Sequence, residues 1–210
     1  MEHPPPELSR ARLERALITM LDAAMPACAH IPYRLVGTAA AVLHGVDLPA
    51  ADVDILVKRR GDVDAFGAAL ASFRCLSAPA WLANARQYYA SYDVAGVNVE
   101  FSTVEVESDA DSSETIGRGP WERYVTVPCG PHVVPTVALE LRLVTELVRD
   151  RRDRYEPIIG AMRAGGYDPA FLRRAMAAVG LSEVVRERVL GQLEGAPRGG
   201  PPGGKPLRLP

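Results

Sequence analysis

The sequence predicts an α+β fold: a small mixed β-sheet with flanking helices, followed by a C-terminal helical bundle. Three observations carry that expectation. Residues 33–57, YRLVGTAAAVLHGVDLPAADVDILV, read as strand, tight turn, short helix, loop and second strand. Residues 87–94 and 96–102 read as two antiparallel strands joined at residues 93–96, the second alternating cleanly in VNVEF. Beyond Pro135 the apolar residues recur at helical spacing instead.

In chain order, Pro4, Pro5 and Pro6 predict a disordered start, and Leu8, Leu13, Ala16, Leu17, Met20, Leu21 and Ala24 place one apolar stripe on a helix over 7–24 that Pro26 should end. Ile31-Pro32 leads into a strand over 33–36. Gly37 permits a sharp turn, Thr38 is the expected N-cap, and His44-Gly45 closes an alanine-rich helix. After a strand over 52–57, Lys58-Arg59-Arg60-Gly61 reads as a basic turn. Asp62 should cap a crossover helix over 63–73, with Val63, Phe66, Leu70 and Phe73 facing inward. Residues 79–82 read as irregular or briefly helical, 105–114 as an exposed acidic loop, and 121–127 and 132–134 as short strands about a turn. Helices are predicted over 136–150, 153–164, 168–179 and 182–193, with glycines between them. The expected division is a sheet domain over 1–134, a helical domain over 135–194 and a disordered Gly/Pro tail over 195–210.

Composition narrows the function. With 48% hydrophobic and 24% charged residues this is the make-up of an ordinary globular chain. The 24 Lys and Arg against 26 Asp and Glu give no support to strong nonspecific nucleic-acid binding. No run reaches the roughly 20 apolar residues a membrane span needs, and the N-terminus lacks a signal-peptide core, so a cytoplasmic location is expected. Cys28, Cys75 and Cys129 are odd in number and widely spaced, which predicts free thiols rather than a disulfide framework or zinc site. Oligomeric state has no readable signal.

The chemistry sits in the second strand. Asp52 and Asp54 stand two apart, so a strand aims both carboxylates at one spot while Val53 and Ile55 point the other way. Such a pair repels unless a cation lies between its members or one of them is protonated. Mg²⁺, which takes oxygen ligands and keeps waters or phosphate oxygens, suits it better than zinc does. Gly37-Thr38 opens a helix whose free N–H groups attract phosphate, placing an anion site beside the cation site.

Val36-Gly37-Thr38, thirteen residues, then Asp52-Val53-Asp54-Ile55 resembles the signature of the DNA polymerase beta-like nucleotidyltransferase superfamily. The small bacterial members are most similar: aminoglycoside and lincosamide nucleotidyltransferases and abortive-infection toxins. The resemblance implies a third carboxylate on a later strand, and Glu100 in VNVEF supplies it. It implies a Mg²⁺-dependent transfer of a nucleoside monophosphate from an NTP to an acceptor hydroxyl, on a small molecule such as an antibiotic, on tRNA or on protein. Asp52, Asp54 and Glu100 would be the catalytic and metal-binding residues for two Mg²⁺ ions, and Gly37 and Thr38 would hold the β- and γ-phosphates. Lys58 and Arg142 are added as nucleotide-binding candidates, Arg142 because small members place a basic residue in the corresponding helix. Two departures stand out. Thr38 replaces the usual Gly or Ser, and Leu48-Pro49-Ala50-Ala51 lacks the Arg and Thr that many small members carry before the carboxylate pair.

Those departures motivate the alternative, a catalytically silent nucleotidyltransferase-fold binding or regulatory module such as a toxin–antitoxin component. Several other residues are open to two readings. Tyr88, Tyr89 and Tyr92 could stack on a base but suit a core edge better. Arg142, Glu146 and Arg149, at helical spacing, suit surface ion pairs. His132 suits a structural place, and Asp153 could orient the acceptor or open a helix.

Overall fold

The computed structural model describes residues 8–105 and 119–195, and it places the 33–57 stretch at the middle of a seven-stranded mixed sheet. Strands β1 (Tyr33–Val36) and β2 (Asp52–Val57) pair antiparallel and are joined through helix α2 (Gly37–Leu43). The remaining strands are β3 (Arg74–Leu82), β4 (Gln87–Val94), β5 (Val97–Thr103), β6 (Tyr124–Cys129) and β7 (His132–Val137). Their order is β3-β4-β5-β2-β1-β7-β6, with β2–β5 and β1–β7 parallel and all other neighbours antiparallel.

One face of this sheet is core. Leu35, Val53, Ile55, Val99 and Phe101 are fully buried there beneath α1 (Arg10–Cys28) and α3 (Arg60–Ala69). Phe66 of α3 stacks on Phe101 with ring centroids 4.8 Å apart, and Tyr33 and Tyr92 meet this pair edge-on. Burying a ring of that size stabilises by roughly 1.5–3 kcal/mol. Because side chains alternate along a strand, pinning Phe101 inward fixes Glu100 outward.

The C-terminal half is helical as expected: α5 (Leu139–Val148), α6 (Arg152–Gly165), α7 (Pro169–Ala178) and α8 (Glu183–Glu194), with Asp168 and Ser182 capping the last two. The short α4 (Gly119–Glu122) precedes β6. Among the described residues no helix is long and apolar enough to cross a membrane. The expectations for residues 4–6, for the acidic stretch beyond Glu105 and for the tail beyond Gly195 lie outside the described residues.

Several elements differ from expectation for identifiable reasons. Helix α1 starts at Arg10, behind the Ser9 cap, and continues through Pro26. Pro26 and Asp22 both lie on the exposed side, where losing one i to i−4 bond is tolerable, and buried Cys28 anchors the last turn. Helix α3 starts at Arg60 because Asp62 accepts the Arg59 N–H at 3.0 Å from inside the first turn, which absorbs half of the expected basic loop. Residues 79–82 belong to β3, an edge strand with two register shifts, where Pro79 is permissible and exposure hides the alternation. A boundary between residues 134 and 135 falls within β7, which continues through Pro135 to Val137.

Candidate active site

The outward face of the central strands carries the polar groups. In the parallel β2–β5 pair, Asp52 lies opposite Asn98 and Asp54 opposite Glu100; on the antiparallel side Glu100 lies opposite Ser91. Cα partners in a sheet share a face, so this register alone gathers the three acids. An oxygen from each of Asp52, Asp54 and Glu100 lies within 4.8 Å of the other two, and all three residues are partly buried. The sequence predicted this convergence from two separate segments.

Burial pushes the Asp52 carboxyl above the usual carboxylate range, against the opposing pull of its own backbone N–H and of the nearby Arg154 guanidinium. Burial also raises Glu100, and the Asp52 charge adds to that. Hydrogen bonds from Tyr89 and from Asn98 Nδ2, the latter at 2.6 Å to Oε1, work against the rise. A half-buried cluster of three acids, two of them held back from ionising by burial, forms the donor set a hard divalent cation fits. Tyr89 is itself pushed up to about 12, mainly by burial.

Gly37 connects this cluster to the turn. Its φ is 67°, and a Cβ there would overlap the Asp54 carboxylate, so glycine is required both for the backbone and for the space. The helix begins at Gly37 itself, with Val36 in the cap position, so Thr38 is not the N-cap the sequence suggested. Its hydroxyl is used differently. Arg154 Nη1, from the first turn of α6, donates to Thr38 Oγ1 at 2.5 Å. Arg154 is three-quarters buried, its Nε has no hydrogen-bond partner among the described residues, and burial together with the charges of Arg151, Arg142 and Arg149 lowers its proton affinity against the opposing pull of Asp153, 4.0 Å from Nε. A cationic cluster from the α5–α6 junction thus stands beside the carboxylates.

Of the residues put forward from sequence, Asp52, Asp54, Glu100, Gly37 and Thr38 meet in one place. Lys58 does not join them. It follows the far end of β2, about 13 Å along the strand from Asp54 at roughly 3.3 Å per residue, and its Nζ lies 4.9 Å over the Trp121 ring. Arg142 and Glu146 are corrected from surface residues to a buried ion pair, 3% and 1% exposed. Tyr92 joins the core, Tyr88 donates to Asp64 at 3.0 Å, and His132 pairs with Asp22 at 2.8 Å. Asp153 pairs with Arg151 at 2.9 Å. The sequence reading missed Arg154, Tyr89's bond to Glu100, and Asn98. Only Asn98 had a local signal, its i, i+2 position before Glu100 on one strand.

Solved structures carry the same architecture. An antigenic nucleotidyltransferase-like protein from Paracoccidioides brasiliensis superposes with a TM-score of 0.52 at 16% identity, over 91% of this chain and 96% of that one. The chain has the nucleotidyltransferase fold. A Thermotoga maritima protein assigned by inference to the nucleotidyltransferases matches at 0.51 and 15% identity, over 71% and 92% of the two chains. The ANT(2")-Ia structure in complex with adenylyl-2"-tobramycin matches at 0.50 and 13%, over 79% and 95%. No protein-family model and no curated protein matches the chain.

Proposed function

We propose that this protein is a Mg²⁺-dependent nucleotidyltransferase that moves a nucleoside monophosphate from an NTP to an acceptor hydroxyl and releases pyrophosphate. The observation that carries the reading is the meeting of Asp52, Asp54 and Glu100 beside the Gly37-Thr38 turn. Asp52 and Asp54 would hold two Mg²⁺ ions, with Glu100 completing one site. Bound there, the metal would neutralise phosphoryl charge and ease deprotonation of the acceptor hydroxyl.

The chain's own groups take the remaining roles. Backbone N–H groups of Gly37 and Thr38 would meet the β- and γ-phosphates, and Arg154, already at the Thr38 hydroxyl, would add guanidinium donors. Arg142, buried in its pair with Glu146, would add its charge to that cluster without touching phosphate. As the acceptor oxygen bonds to the α-phosphorus, the bond to the β-phosphate oxygen breaks, pyrophosphate leaves with the electron pair, and Glu100 takes the hydroxyl proton. Arg154 supplies a cation that Leu48-Pro49-Ala50-Ala51 does not, which favours activity over a silent module. The ANT(2")-Ia likeness makes aminoglycoside hydroxyls a first acceptor class to try, ahead of tRNA and protein. Three free thiols fit a cytoplasmic setting.

The test is incubation with Mg²⁺ and each α-labelled NTP in the presence of aminoglycosides, lincosamides, tRNA or protein. Label should pass to one acceptor class, and Asp54→Asn should abolish the transfer. No label transfer to any acceptor, or equal transfer by Asp54→Asn, overturns the proposal.

A further inference from the structure

Asn98 stands between two carboxylates in the sheet register: Asp52 across the β2–β5 pair and Asp93 across the β4–β5 pair. Its amide orientation is fixed by chemistry. The atom 2.6 Å from Glu100 Oε1 faces a carboxylate, so it is the donor nitrogen, and the amide oxygen therefore points away from Glu100. That oxygen, Oδ1, is buried and has no hydrogen-bond partner among the described residues. Neither register neighbour, Asp52 nor Asp93, makes a hydrogen bond to it. Native structures seldom leave such an acceptor unmet, because it forfeits hydration without return. The missing partner is a donor that arrives with something else.

Resting on the nucleotidyltransferase reading of this site, we propose that Asn98 is a positioning residue for the metal centre. Nδ2 sets the direction of the Glu100 carboxylate, and Oδ1 accepts a hydrogen bond from a water carried by the bound divalent ion. Asn98 touches the ion only through these two partners. Tyr89 also bonds to the same carboxylate. Glu100 is thus held by two partners, the kind of arrangement by which outer groups tune metal ligands.

A merely structural asparagine and a positioning one differ in what their removal does. Asn98→Ala deletes an unmet acceptor, which relieves the metal-free protein, and a hydrogen bond to Glu100, which costs it, so metal binding and not the melting temperature is the readout. Mn²⁺, added alone as the probe and followed by the electron paramagnetic resonance signal of the free ion, should bind Asn98→Ala at least roughly tenfold more weakly than the parent, the usual scale for loss of an outer-sphere partner. Ser102→Ala, on the same strand and face two residues beyond Glu100, should bind as the parent does. If Asn98→Ala does not fold, Asn98→Ser is read by the same tenfold criterion. Mn²⁺ affinity within twofold of the parent overturns the role of Asn98 and leaves the metal site standing. A parent protein that takes up no Mn²⁺ overturns both.

Discussion

Arg154 Nη1 donates to Thr38 Oγ1, so the second helix of the C-terminal bundle is tied by a hydrogen bond to the glycine turn that borders the acidic cluster. A chain that needed this contact only for packing would gain little from a guanidinium here. Arg154 is partly desolvated, Arg142, Arg149 and Arg151 repel it with only Asp153 opposing them, and its Nε has no hydrogen-bond partner among the described residues. A polyanion resolves all three difficulties at once.

Arg154→Ala should therefore weaken nucleotide binding more than it weakens the fold. One charge-assisted contact of about 2 kcal/mol corresponds to a roughly thirtyfold loss of NTP affinity. Arg154→Lys should recover only part of that loss, because an ammonium cannot keep Thr38 and reach a phosphate in the same planar fork. Titration of a fluorescent nucleotide checks both variants. Affinity for Arg154→Ala equal to the parent's would remove Arg154 from the site.

Gly37→Ala should disable the site through Asp54. The positive φ alone is worth about 1–2 kcal/mol against alanine, and the new methyl overlaps the Asp54 carboxylate, which must swing away. The expected result is a folded protein of lowered Tm that no longer responds to Mg²⁺ in a thermal shift. Gly61→Ala, in α3 where a Cβ has open space, is the control and should keep the Mg²⁺ response with a Tm no lower than the parent's.

The carboxylates also set a pH dependence. Asp52 and Glu100 are both raised above their ordinary values, mainly by burial. An acid with a raised folded pKa binds its proton more tightly folded than unfolded. Its stabilising contribution is full below the unfolded value, 3.8 for Asp52 and 4.5 for Glu100, and is lost as pH climbs through the raised folded values. Metal-free protein should thus lose Tm across that climb, whereas saturating Mg²⁺, which binds the ionised acids, should hold Tm up on the alkaline side. A metal-free Asp52→Asn, Glu100→Gln double variant should show a flatter profile. Identical profiles for parent and double variant would count against the cluster.

How far the site could be read from sequence follows from which contacts are local. Asp52 and Asp54 share a face by strand period, Gly37 announces its turn, and the alternation around Glu100 identifies its strand, so the acid cluster was legible before its register was known. Arg154 was not. Its meeting with Thr38 depends on how α6 docks, and nothing in Arg151-Arg152-Asp153-Arg154 marks one arginine above the others. Lys58 lies apart from the acids for the converse reason: it is near Asp54 in sequence, but an extended strand carries it away at its full rise per residue. β3 was missed because an edge strand with register shifts and mostly exposed residues erases the alternation that identifies strands.

The buried Arg142–Glu146 pair separates a structural role from a nucleotide role. Both side chains lie inside α5, one turn apart, where neither charge is hydrated. Removing one partner strands the other, so Glu146→Gln or Arg142→Met should each destabilise by about 3–5 kcal/mol, a Tm loss of roughly 10 °C for a chain of this size. Replacing both with apolar residues of similar volume, Arg142→Met with Glu146→Leu, should restore most of that loss, since packing replaces an ion pair whose desolvation opposed its attraction. The restored variant then reports on Arg142 alone. Because Arg142 is buried in its pair with Glu146, its removal should leave NTP affinity within about threefold of the parent, far short of the loss expected for a charge-assisted phosphate contact. A stable double variant with nucleotide binding lost to the extent expected of Arg154→Ala would instead put Arg142 in direct contact with the triphosphate.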